Sequence, residues 1–354
     1  MKHFIKGAAL VAMMAPFATP ISAETIKMTA ASSHPDFLPW VNVMSKHVVP
    51  ETNKRFEAAG IDLEIQWTEA YSGSLFNAKN ALESLEGGLT DIAWVGTIFE
   101  PAKMPLQNVH LYAPFAAYDV TLLTEIGNHL HDTLPVMNEQ WAKYNQHMLG
   151  MHGDGSYQII TKEPINTLED LKGMKLMAAG AVGSWLDGTG AIPINGGYPD
   201  FYNSISTGIA DGAVMTVNGM LPFKIHEVAP YITVVNLGGP ITGGLAINAD
   251  SWDALQPEAQ QIFTDLGREY STMVAAQVAA REEKFMATMV EEGAILSELS
   301  AEERLRWANA LPDLAGDWVK RNEAQGLPAG EVLKAFLDAA KAGGNTPIRN
   351  WAGQ

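Results

Sequence analysis

Between Thr25 and Gly96 the hydrophobic pattern switches repeatedly between the period of a strand and that of a helix, and few architectures accommodate such an order. Residues 25–30 alternate with period two, and residues 40–59 read as a helix that stops at Gly60. Residues 61–67 alternate again, with Ile61, Leu63, Ile65 and Trp67 on one face. Residues 77–85 then read as a helix ending before Gly87-Gly88, and residues 89–96 as a third strand with its exit turn. A β-α-β-α-β series implies a mostly parallel sheet with right-handed crossovers. Ligands of such sheets bind beyond the carboxyl ends of the strands. The loops at residues 32–37, 69–75 and 94–97 therefore become candidates.

A second α/β series starts near Gln146, with strand-like segments at residues 148–151, 157–161, 175–178, 213–216 and 232–235. Thr167 is placed to cap a single turn closed by Gly173. Residues 257–292 form one long helical pattern without an internal proline. At 1.5 Å per residue it would span about 50 Å, longer than a small domain, so it reads as a strut across two. Helices are expected near residues 301–325 and 329–342, followed by a polar tail.

The first 23 residues read as an export signal. Lys2 and Lys6 give a positive start, residues 7–17 an apolar run, and Ile21-Ser22-Ala23 a small-residue cleavage point. The mature chain is then expected to begin near Glu24 and to reside in a periplasm. The chain has no cysteine, which excludes disulfides, thiolate metal sites and a cysteine nucleophile. The formal charge of −17 argues against nucleic acid and anionic membrane surfaces as partners.

Catalytic motifs are missing: there is no phosphate loop, no G-x-S-x-G elbow and no H-E-x-x-H. Ser184 has no partner signature, and no enzyme activity or cofactor is expected. His129-Leu130-His131-Asp132 is the one dense group of metal-capable side chains. Residues two apart on a helix point in different directions, so a solvated helix end is the expected reading. His147 and His152 are expected to be ordinary hydrogen-bonded histidines flanking a buried strand.

The run Glu169-Asp170-Leu171-Lys172-Gly173-Met174-Lys175-Leu176-Met177 after Pro164-Ile165 resembles the "DLKG-x-K-I-R" element of the DctP-type solute receptors of TRAP transporters. Residues 200–212, Asp200-Phe201-Tyr202 through Asp211-Gly212, resemble the family's "E-x-Y-x-A-L-x-x-G-x-x-D-G" helix and turn. Glu86 to Ile92 is similar to its strand entry, and Pro114-Phe115 to its "PF" element. The resemblance implies an α/β fold of two lobes, periplasmic-binding-protein-like, with mixed sheets, a central ligand cleft and a long helix spanning both. It places residues 24–152 with about 237–260 in lobe I, and 153–236 with about 265–330 in lobe II. Residues 257–292 bridge them, and 331–354 form a C-terminal helix and tail. It further implies a small-molecule solute, membrane permease subunits as partners, and a monomer. A sensory role, in which the loaded receptor presents itself to a membrane-bound kinase or chemoreceptor, stays open.

The departures bear on the solute. Family members end the "K-I-R" strand in an arginine whose fork holds the substrate carboxylate; here it is Met177. Tyr157 takes the slot of a second arginine, and Met215, with Asn218 as its substitute, that of an asparagine. A carboxylate buried without a cation is costly. The expected pocket comprises Tyr71, Trp94, Tyr157, Trp185 and Tyr198, with Met177 and Met215 as an apolar wall and Asp154 as a carboxylate. Aromatic faces with a carboxylate suit a small ammonium of ethanolamine or choline type. A neutral or aromatic solute, or a carboxylate held by some other cation, is the alternative. Tyr202, Asp211 and Asp91 are read as structural.

Overall fold

The computed structural model of the chain describes residues 24–353, so the expected export signal at 1–23 lies outside the described residues. Among the described residues, no helix is long and apolar enough to cross a membrane.

Two sheets form the two lobes. The first holds β1 (Glu24–Ala31), β2 (Leu63–Ala70), β3 (Ile92–Val95), β4 (Gln146–Gly153) and, from much later in the chain, β10 (Ile241–Asn248), in the order β2-β1-β3-β10-β4. β1 runs parallel to both β2 and β3, as the alternation predicts. β10 then inserts antiparallel between β3 and β4, which makes the sheet mixed. All eight residues of β10 are buried, so it shows no alternation, and Gly243 and Gly244 hide it further. Those glycines are required: a Cβ on Gly243 would collide with the Val95 carbonyl, and one on Gly244 would lie 2.7 Å from the Met151 sulfur.

The second sheet holds β5 (Tyr157–Thr161), β6 (Lys175–Ala178), β7 (Ile192–Asn195), β8 (Gly212–Thr216), β9 (Tyr231–Val234) and β11 (Ile295–Glu298), in the order β11-β9-β5-β8-β6-β7. Each lobe carries the same brace at the entry of an inner strand. Asp91 accepts the backbone N–H of Thr29 at 2.7 Å, and Asp211 accepts that of Lys175 at 2.8 Å.

Prolines redraw the expected helices. The helix of residues 40–59 divides into Pro39–Val43 and Val49–Ala59, joined by a π-helical turn, Met44–Val48. Pro50 cannot donate, and the ladder adapts by a longer bond from Val49 N–H to the Met44 carbonyl. Pro312 splits the expected helix at 301–325 into Ala301–Ala310 and Leu314–Glu323.

The lobes meet at two crossovers, between β4 and β5 and between β9 and β10. Asp154 N–H donates to the Pro240 carbonyl and Tyr157 N–H to the Gly238 carbonyl, both at 2.9 Å. The helix Pro257–Glu291 is unbroken over 35 residues and contacts β4 in lobe I and the short helix Val217–Met220 in lobe II. The C-terminal helices depart from the expected partition. Ala301–Ala310 packs on the Leu168–Leu171 turn of lobe II, but Leu314–Glu323 and Ala329–Ala342 return to lobe I against Pro105–Tyr112. Tyr112 stacking on Trp318 at 5.6 Å draws the first of these across.

The long helix meets β4 backbone to backbone. A Cβ on Gly150 would strike the Gly267 carbonyl, and one on Gly267 the Leu149 carbonyl. Gly267→Ala should therefore cost about 1–3 kcal/mol of stability by overpacking. Gly183→Ala, where the new Cβ would meet only Pro193 at 3.6 Å, should be nearly neutral. Urea denaturation midpoints of the two variants check this.

Candidate functional site

The carboxyl ends of β1, β2 and β3 converge on one side of lobe I, and their loops are tied together. Ser72 N–H donates to the His34 carbonyl at 3.0 Å and Gly73 N–H to the Ser32 carbonyl at 3.2 Å. Beneath these loops lies a cluster of rings. Trp94, at the end of β3, sits 4.9 Å from His34 and stacks on Trp40 at 5.4 Å. Trp40 also stacks on His152 of β4 at 5.6 Å.

Hydrogen bonding fixes this wall. Trp94 Nε1 donates to His152 Nε2 at 2.7 Å, which assigns the His152 proton to Nδ1, facing the Gly153 carbonyl at 3.0 Å. Burial holds the pKa of His152 and of His34 down at about 4, so both imidazoles are neutral at ordinary pH. Tyr71 lies in the second loop and donates to Glu69 at 2.7 Å; burial raises its pKa.

The crossover and lobe II supply the opposite face. Asp154 Oδ1 accepts from Gly155 N–H and from Asn218 Nδ2, both at 2.8 Å, which brings two of the predicted residues together. Tyr157 and Tyr198 are adjacent and both feel the charge of Asp154; burial raises both pKa values, keeping the phenols neutral. Tyr198 oxygen also accepts the Thr216 N–H at 3.3 Å.

Three predicted residues are closed off from solvent. Met177 and Met215 are 2% and 0% exposed within the lobe II core, their ends turned toward Gly196 and Gly219. Trp185 is 0% exposed, donates to the Leu111 carbonyl at 2.7 Å and accepts from Trp307 at 2.7 Å. Its polar groups are engaged inside the core, and its ring reaches the cleft only through Tyr157, 5.4 Å away. Leu111 and Trp307, from elements distant in sequence, bury it.

Pattern reading missed the charged partners of Asp154, which come from the long helix. Arg281 donates to the Phe37 carbonyl at 3.2 Å and lies over the Phe285 ring, 4.7 Å from its centroid. Its Nε is buried and unpartnered. Among the described residues, no carboxylate forms an ion pair with it, although Asp154 is near enough to oppose the fall in its pKa that burial causes. Glu282 packs its carboxylate against Gly155, where a Cβ would collide with it. Burial, then the charges of Asp154 and Asp119, push its pKa up to about 7. Burial likewise raises the pKa of Asp154, against the pull of Gly155 N–H, Asn218 and Arg281. A helix rich in charge reads as solvated, so no local signal marks these two positions.

The helix end expected to be solvated is exposed at His129 and Asp132 but closed at His131. His131 is buried, its Nδ1 faces the Gly127 carbonyl at 2.7 Å, and its Nε2 accepts from Trp141 at 3.1 Å. Asp132 pairs instead with Arg268. Among the described residues, no group of three metal-capable side chains converges.

Trp94→Phe would leave His152 Nε2 without its Trp94 donor and should cost about 1–3 kcal/mol. Trp40→Phe should cost less, because Trp40 Nε1 has no partner to lose. Chemical denaturation of both variants separates the two effects.

The profile of the DctP family, the bacterial extracellular solute-binding proteins of family 7, matches residues 49–321. The C4-dicarboxylate-binding periplasmic protein DctP of Rhodobacter capsulatus is 26% identical over 187 residues, 51% of this chain and 56% of that protein. The match thus spans little more than half that relative's length. In structure, the chain is similar to a TRAP periplasmic solute-binding protein from Desulfovibrio salexigens, with a TM-score of 0.77 at 19% identity, covering 93% of this chain and 98% of the other. It is also similar to a marine metagenome TRAP solute-binding protein complexed with 3-hydroxybenzoate, with a TM-score of 0.73 at 20% identity, covering 90% and 98%. Both likenesses carry the two-lobed α/β fold, and with the sequence match over residues 49–321 the chain belongs to the DctP family of bacterial extracellular solute-binding proteins.

Proposed function

We propose that this extracytoplasmic solute receptor captures a small amine or amino alcohol, of ethanolamine or choline type, and delivers it to the permease subunits of a TRAP-type transporter. The observation that carries the reading is the pair of carboxylates, Asp154 and Glu282, at the lobe junction beside the rings of Tyr157 and Tyr198. An ammonium placed there relieves the cost of two buried carboxylates that repel one another. Each ring face it touches adds about 0.5–2 kcal/mol.

The ligands named for two of the relatives above, a C4-dicarboxylate and 3-hydroxybenzoate, are acids. Such an anion would find Met177 and Tyr157 in place of the arginines that the family resemblance implies. Asp154 and Glu282 would repel it. A neutral or aromatic solute is the second reading, favoured by the buried, unpartnered Nε1 of Trp40 beside the ring cluster. In either case capture proceeds by closure about the β4–β5 and β9–β10 crossovers, which excludes water and strengthens every charge interaction inside. The receptor works as a monomer in the periplasm.

A thermal-shift screen of the described chain against amines, polyols, aromatics and acids tests the reading. An amine at 100 times its Kd should add about 2.7 kcal/mol of stability. Asp154→Asn should weaken that amine by about tenfold or more, since a hydrogen bond to a charged group contributes about 1.5–3 kcal/mol. Stabilisation by acids alone would sink the proposal.

The affinity should also depend on pH. Glu282 is neutral well below pH 7 and ionised above it, so binding of a permanently charged probe such as choline should tighten from pH 6 to pH 8. The charges of Asp154 and Asp119 act on it, and His34 and His152, held down at about 4 by burial, stay neutral throughout that window. Glu282→Gln should flatten the profile, measured by titration calorimetry at each pH.

A further inference from the structure

We infer that the amine carries a carboxylate as well, so that the solute is a small zwitterion of the amino-acid or betaine class, its ammonium held at Asp154 and Glu282 and its carboxylate by Arg281. The inference rests on the amine reading and narrows it.

The argument lies in charges that face each other without pairing. Arg281 reaches the first cleft loop through the Phe37 carbonyl, and its attraction to Asp154 is felt from both sides. Yet among the described residues it makes no ion pair with Asp154 or with its neighbour Glu282. Among the described residues Arg281 otherwise contacts a ring face and one carbonyl, and its buried Nε has no partner. Asp154, for its part, is held by two neutral donors, Asn218 and the Gly155 N–H. A half-buried guanidinium and a buried carboxylate kept apart are both incompletely compensated.

A pure cation would satisfy the carboxylates but add to the repulsion at Arg281. A pure anion would do the reverse. A solute with both charges, a few bonds apart, neutralises both groups and brings no net charge into the closed cleft. The arginine fork then receives the planar carboxylate that its geometry suits. It would do so from the long helix, not from the strand end that Met177 occupies.

Choline and glycine betaine share a trimethylammonium and differ in carrying an alcohol or a carboxylate, which makes them the probes, with acetate as the acid alone. By titration calorimetry the protein should bind glycine betaine about tenfold or more tighter than choline, the gain from a charge-assisted pair. Arg281→Met should abolish that preference by weakening glycine betaine, while choline binds as well as before or tighter because a repelling charge is removed. Arg281→Lys, which keeps the charge and the packing of the stem, should restore part of it. Asp154→Asn should weaken both amines. Equal or tighter binding of choline by the unaltered protein, or equal losses of both amines in Arg281→Met, would overturn the zwitterion and leave the amine reading standing. Binding of acetate in preference to both, or no binding by any of the three, would overturn the two readings together.

Discussion

The contact of Gly267 with Gly150 sets the position of almost everything that matters in the cleft. Side chains would hold a helix roughly 10 Å from a strand, but two glycines let the backbones touch. The helix Pro257–Glu291 is thereby pinned to β4, the strand that leads directly into Asp154. Fourteen residues beyond Gly267, about 21 Å along the axis, the same helix delivers Arg281 and Glu282 to the crossover that carries Asp154. The three charged groups are therefore fixed relative to one another by a rigid element and a sheet. Asn218 of lobe II already joins them through its 2.8 Å bond to Asp154.

That arrangement explains how the cleft can dispense with an arginine at the end of β6. A cation at Met177 would sit within the lobe II sheet and move with that lobe. Arg281 sits on the strut shared by both, tied to a lobe I loop through Phe37. The carboxylates are treated likewise: Asp154 at the crossover and Glu282 against Gly155 belong to the joint rather than to either wall. Electrostatic recognition at the joint and aromatic recognition on the lobe I wall are thus separate functions on separate elements. The neutral state of His34 and His152 keeps positive charge out of the ring wall.

What the sequence could reveal follows from which signals are local. The β-α-β rhythm, the strand ends and the candidate loops are local, and Tyr71, Trp94, Asp154 and Tyr157 are candidates because each lies at or just beyond a readable strand. β10 was not found: a strand buried on both faces, interrupted by two glycines that only Val95 and Met151 explain, has no period of its own. The same limit governs the site. Trp185 looks like a loop aromatic until Leu111 and Trp307 enclose it, and His131 looks solvated until Trp141 packs on it. Arg281 and Glu282 lie among other charged residues of a long helix, where nothing nearby in sequence distinguishes a solvated pair from one aimed at a cleft.

The two lobes also solve one mechanical problem in the same way, and that solution constrains how the site can move. In each, a helix ends in a glycine-containing turn and an aspartate then seizes the backbone of a neighbouring strand: Asp91 holds Thr29, and Asp211 holds Lys175. Asp91 is further held by the Ser251 hydroxyl at 2.7 Å. A carboxylate accepting a backbone N–H makes a stronger bond than a neutral acceptor would, so strand register is secured at the end of each lobe remote from the cleft. The carboxyl ends of the strands are left to loops joined by a few backbone bonds, and the lobes to each other by the crossovers and the helix. Motion is thereby confined to the segments around Asp154 and Gly238, beside the charged groups that a bound solute would bridge. Recognition and closure would consequently draw on the same segments, since the charged groups sit at the joint itself.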